Sequence, residues 1–188
     1  TNVWNTTTDA HSDNTVYATG KDAEVANWTT FRVTSTDIPS GSTISGIQVD
    51  MQLKVGNSGN DAFTVTAALI KGGTAQTGGS QTKTTGSLTS TTESNITLGS
   101  TSDLWANTWA DTDIVGATTG FGVQLTGTRT AGAGGETIDL DVVTITVTYA
   151  TAPQVRTGTS TPAITDSATA VKSSVISATE TPTITDSA

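Results

Sequence analysis

The chain has no cysteine, which excludes thiol chemistry, Cys-ligated zinc and disulfide bonds together. A core has to hold the fold unaided. There is one histidine, His11, and only four glutamates, Glu24, Glu93, Glu136 and Glu180, so acid–base chemistry has few carriers. No stretch approaches the ~20 apolar residues that a membrane-spanning helix needs, and no signal peptide is visible. Positive charge is scarce: 8 basic residues against 17 acidic ones give a formal net charge of −9, and Lys54, Lys71, Lys83 and Lys172 stand singly. Without a basic patch there is no electrostatic footprint for nucleic acid or anionic lipid, and neither nucleic acid nor membrane is expected as a partner.

What the chain has in abundance is threonine, 44 of 188 residues, with 19 glycines. Threonine loses rotamer freedom in helices and fits a pleated surface, while the helix formers Leu, Glu, Lys and Arg are scarce. The composition therefore predicts an all-β protein. Several short strands with turn signals between them predict an antiparallel β-sandwich or jelly roll over residues 1–150. Residues 151–188 read as an extended tail. Within it, TSTPAITDSA (159–168) returns as TETPTITDSA (179–188) at a spacing of 20, with eight of ten positions identical. Repeats this thin bury no core of their own and need neighbours stacked on them, or another chain. Because the chain stops inside the motif, the repeat is expected to continue.

The clearest element is IPSGSTISGIQVDMQLKV, in which Ile47, Val49, Met51, Leu53 and Val55 alternate with Gln48, Asp50, Gln52 and Lys54. Period two places one row in a core and the other in solvent. Phe63, Val65, Ala67 and Leu69 predict a returning antiparallel strand after a loop at 56–61. Residues 72–95 read as a long loop with weak edge strands, and order resumes at 96–98. A short helical turn is expected near 110–114. Phe121, Val123 and Leu125 mark a further strand, followed by a flexible turn over 126–135. The strand from Ile138 to Tyr149 shifts phase, which predicts a β-bulge near Val142–Val143. Towards the N-terminus, residues 16–18 and 28–33 are the candidate strands.

Candidate chemistry is sparse. His11 lies between Asp9 and Asp13, but no GxSxG turn occurs to supply a nucleophile, and the segment reads as a polar loop with an Asx turn. Asp139 and Asp141, two apart on a strand, are expected side by side on its solvent row, and neither they nor Asp111 and Asp113 sit in an EF-hand-like loop. No catalytic residue, metal ligand or cofactor is expected. Trp105 and Trp109, with Asp103 and Asn107 nearby, admit two readings: packing that closes the end of the sandwich, or indole faces that stack on sugar rings at a glycan or subunit contact. Three N-glycosylation sequons, at Asn5, Asn27 and Asn95, are matches that this much threonine produces by chance.

Three segments carry a resemblance. IPSGSTISGIQVDMQLK resembles the IPxGAxIxGIxVxIxxK segment of a family of virion-associated structural β-sandwich proteins of tailed phages. SDLWANTWADTDI followed by GFGVQL is similar to that family's sDLWGxxWtxxdI…FGVxl segment, and DLDVVTITVTY to its closing strand. DAHSDNTVYAT is a looser match to its opening. Together they cover roughly residues 9–149. Ala106 departs from the pattern, since glycine is usual at that place after the tryptophan, and the loop at 72–95 has drifted. The tail resembles TITDS-type repeats that follow such domains. The resemblance implies a virion component, a capsid decoration protein or a head or tail appendage, whose partners are further copies of itself and other virion proteins such as the major capsid protein. It carries over no catalytic residue. Two other classes fit the residues: a carbohydrate-binding module on a phage fibre or bacterial surface protein that recognises host-surface glycans, and a cell-surface filament subunit whose tail supplies the inter-subunit strand.

Overall fold

The structure is a computed structural model that describes residues 4, 5, 10, 12–29, 31–56, 61–116, 120–132 and 135–152. His11, Asp9, most of the 56–61 loop and the repeat tail from 153 onward lie outside the described residues. Contacts group Thr1–Pro153 into one unit and Gln154–Ala188 into another. The described part is nearly all β, in two antiparallel sheets, with one short helix.

The first sheet is ordered β1 (Ala18–Gly20), β9 (Ile138–Ala150), β3 (Thr43–Val55), β7 (Ser94–Ser100). The second is ordered β2 (Val25–Trp28), β8 (Gly122–Ala131), β4 (Ala62–Lys71), β5 (Thr74–Ala75), with β6 (Thr82–Thr84) also paired to β4. The helix α1 covers Asp111–Ile114. One core joins the two sheets. Ile47, Val49, Met51, Leu53 and Val55 of β3 are all buried, and so are Phe63, Val65, Ala67 and Leu69 of β4 and Val123 and Leu125 of β8. The alternation in sequence thus becomes two inner faces, each buried aliphatic or aromatic side chain contributing about 1.5–3 kcal/mol. Gln48, Asp50, Gln52 and Lys54 occupy the outer face of β3, half-buried.

Several boundaries differ from the sequence pattern for identifiable reasons. The second strand is Val25–Trp28, not 28–33: its ladder with β8 ends where Trp28 faces Val123. Beyond it Phe31 and Val33 pack half-buried on the core as loop residues, and the chain is turned by Asp37, whose carboxylate accepts from the Thr34 N–H and hydroxyl. The first strand begins at Ala18, because Thr15 has φ 62 and Val16 points outward, 50% exposed. β8 runs on to Ala131, through the segment whose composition reads as a turn. The polar run TGTRTA has no apolar row, yet Thr126 and Thr128 pair with Thr66 and Thr64 of β4, and β-branched residues suit that ladder.

The phase shift in β9 is a bulge. Gln52 pairs with Val142 while Leu53 pairs with Leu140, leaving Asp141 as the extra residue, one place before the position that alternation suggests. The expected solvent exposure of the two aspartates is also corrected, at Asp141 by the bulge and at Asp139 by burial on the outer row beside Lys54. Neither lies on a solvated row: Asp139 is 7% exposed and Asp141 fully buried. A bulge lets successive residues turn the same way, and it aims Asp141 at the N-terminal loop. There its carboxylate accepts the backbone N–H groups of Asn14 (3.3 Å) and Thr15 (3.2 Å). Asp139 accepts the Thr137 hydroxyl at 2.8 Å.

A buried carboxylate answering two loop amides is a hinge pin for residues 12–17. Asp141→Ala leaves both amides without their acceptor, and the loss of hydrogen bonds to a charged group is worth about 1.5–3 kcal/mol. The expected result in thermal or denaturant unfolding is a destabilisation of that order, with faster amide exchange at Asn14 and Thr15.

Candidate functional site

The tryptophan loop, 101–110, closes the end of the two-sheet stack where β3 begins and β7 ends. Its placement starts from two glycines. Gly46 lies so close to the loop backbone that a Cβ there would stand 2.1 Å from the Thr101 carbonyl carbon, and a Cβ on Gly99 (φ 78) would stand 2.4 Å from the Ile47 carbonyl oxygen. Glycine inside a strand marks this kind of backbone approach. The loop is then tied to β3 by main-chain bonds: Ile47 N–H donates to the Asp103 carbonyl at 2.9 Å, and Thr43 forms a bridge with Ala110.

Trp105 sits at the centre of the closure, fully buried. Its indole N–H donates to the Ile47 carbonyl at 2.8 Å, so the ring fills the core while its polar atom is satisfied. Its own backbone N–H donates to the Asp103 carboxylate at 2.8 Å, an Asx turn. Trp109 is 8% exposed, meets Phe121 edge-on at 5.8 Å, and donates its indole N–H to the Leu104 carbonyl at 3.0 Å.

Two lysines complete the arrangement in parallel fashion. Lys83 lies 2.6 Å from the Asp103 carboxylate and 5.3 Å from the Trp105 ring centroid. Lys71 lies 2.8 Å from the Asp113 carboxylate and 5.4 Å from the Trp109 ring centroid, and it also donates to the Thr108 carbonyl at 2.8 Å. Each ammonium therefore bridges an aspartate and an indole face. Partial burial opposes the ionisation of Asp103, but the Lys83 ammonium and the Trp105 N–H outweigh it and hold the carboxyl below the usual carboxylate range. At Asp113 burial is likewise outweighed, by Lys71 and the Ala110 N–H. Asp111 reaches the other way and accepts the Gly41 N–H at 2.7 Å.

Of the four residues that the sequence singles out, Asp103, Trp105 and Trp109 come together in this closure. Asn107 stands at its rim, where its side-chain oxygen accepts from Gln81 at 2.8 Å and its buried amide nitrogen has no partner among the described residues. Neither indole offers an open face on which a sugar ring could stack, since one is fully buried and the other nearly so. The lysines escape sequence reasoning because they come from β4 and β6, far along the chain. Gly46 and Gly99, inside otherwise regular strand patterns, were the available signal.

Trp105 (φ 56) and Ala106 (φ 51) are consecutive residues in the left-handed region, which costs a side-chain-bearing residue roughly 1–2 kcal/mol. This explains why glycine suits the place after the tryptophan. Compared with known proteins, the chain matches no protein-family model, no curated protein and no solved structure.

Ala106→Gly relieves the strain without removing a contact, partly offset by the greater freedom of glycine in the unfolded chain. The expected outcome is a gain of up to about 1 kcal/mol in equilibrium unfolding, while the same substitution at Ala110, which has φ −97, gives no gain.

Proposed function

We propose that the chain is a non-enzymatic structural component of a tailed-phage virion, a β-sandwich of the jelly-roll kind that decorates the capsid or forms part of a head or tail appendage. It acts through subunit assembly, with other copies of itself and virion proteins such as the major capsid protein as partners. The observation that carries this reading is where the resembling segments fall. The segments 38–54 and 102–114, far apart in sequence, meet at one closure: Trp105 bonds Ile47, Asp103 bonds Ile47, and Asp111 bonds Gly41. The third segment, 139–149, supplies β9, the partner of β3 along nearly its whole length. The segments that carry the likeness thus lie against one another in the fold, which is what supports the reading.

The chemistry of the closure agrees with this reading. Aspartate, tryptophan and lysine at the closure satisfy one another, so their work is to fix the shape of the domain. A net charge of −9 favours solubility and keeps crowded copies apart until specific contacts form. A glycan-recognition role would have to use a surface other than the faces of Trp105 and Trp109.

Immunogold electron microscopy of lysate from the source organism, with antibody against residues 1–150, tests the proposal. Gold on phage heads or tails is the expected result, and its position separates capsid decoration from an appendage. Gold confined to cell surfaces or free filaments would overturn it.

A further inference from the structure

The open edges of the two sheets are defended unequally. β1 has three residues, and Asn5 bridges Thr19 on its outer side. β2 has four residues, β5 two, and β6 three with Lys83 at its centre. Short length, a covering segment and lysine are the usual protections against edge pairing. β7 is the least protected: it has seven residues, SNITLGS, with neither a charge nor a proline, although β6 passes close to part of it.

The direction of its free groups follows from β3. Ile47 and Val55 send their amides to the Asp103 and Ser90 carbonyls that flank β7, so the odd-numbered residues of β3 face that strand. Their partners Leu98, Ile96 and Ser94 face back. Alternation then turns the N–H and C=O groups of Asn95 and Thr97 outward, where no described residue bonds them. Ile96 and Leu98, on the inner face, are only half-buried, so their outer flanks are left for one more strand to cover.

We infer that the β7 edge is a docking site for an added strand, and that its occupant is the Ile-Thr-Asp-Ser repeat, 164–167 or 184–187, of a second copy of this chain. The inference rests on the assembly reading above and names its contact. An extended strand supplies main-chain partners for Asn95 and Thr97. Its isoleucine falls beside Ile96 and Leu98 on the inner face while the neighbouring threonine falls beside Thr97. The segment Gln154–Ala188, at about 3.3 Å per residue, reaches up to ~115 Å, several times the ~15 Å radius of gyration of a 150-residue domain. A neighbouring subunit is within its span.

Sedimentation velocity of the full chain over a range of concentrations tests this. The expected result is concentration-dependent self-association that is lost in Asn95→Pro, lost equally in the double variant Ile164→Pro/Ile184→Pro, and reversed by excess synthetic peptide of residues 159–168. Asn95→Pro removes an outward donor and fixes φ at an edge position, where proline is tolerated, so its thermal melt is expected to stay close to that of the parent. Should it unfold, Asn95→Lys, which keeps the ladder and charges the edge, gives the same reading. A chain that stays monomeric throughout overturns the inference. So does association that survives the edge variant or the repeat variant; survival of the repeat variant alone would mean that the edge pairs with something other than the repeat. Labelled particles with a monomeric chain would sink this inference alone, and self-association without particle labelling would sink the virion reading alone.

Discussion

The hydrogen bond from the Trp105 indole to the Ile47 carbonyl is the contact on which the closure of this domain depends. It joins the loop between β7 and α1 to the first half of β3, a central core strand, inside the protein, where an unmet indole N–H or carbonyl costs about 1–3 kcal/mol. Everything around it serves that placement. Gly46 and Gly99 let the backbones approach, the Asp103 carboxylate holds the Trp105 amide, and two residues accept left-handed backbone to turn the ring inward. The strain at Trp105 and Ala106 is offset by the burial of a whole indole, which exceeds it.

The same logic recurs at other places where the chain crosses between elements. Asp141 fixes the N-terminal loop through two backbone amides, Asp111 fixes the turn at Gly41, and Asp37 fixes the turn at Thr34. In a protein without cysteine and with few charges, carboxylates aimed at backbone N–H groups take on the task of pinning loops. They use acidic residues structurally, which helps to explain how a chain with more than twice as many acidic as basic residues can be acidic without assembling an acidic site among the described residues.

Much of the fold was legible where one face is buried and the other is wet. β3, the first half of β4 and the first half of β8 alternate because their inner rows meet across one core, and the phase slip in β9 announced its bulge. The turn at α1 was also visible. The second half of β8 was not, because a strand with no buried row leaves no periodic trace and its threonines serve loop and ladder alike. Asp139 keeps the outer row beside Lys54 that alternation assigns but is buried there, whereas Asp141 is the extra residue of the bulge, which the alternation rule does not place. Trp105 and Trp109 were recognisable as a pair, but burial against exposure depends on Gly46, Gly99, Lys71 and Lys83, which only the folded chain brings beside them.

Hydrogen exchange of the tryptophan indole N–H groups, followed by NMR in the full chain, tests the structural account most directly. It predicts that the Trp105 indole proton exchanges only through global unfolding, at the rate of the core amides of Val49 and Leu53. Exchange of that proton at the rate of free tryptophan, or a shift of its resonance on addition of glycans with the fold unchanged, would contradict the account and return the closure to the status of an open binding surface.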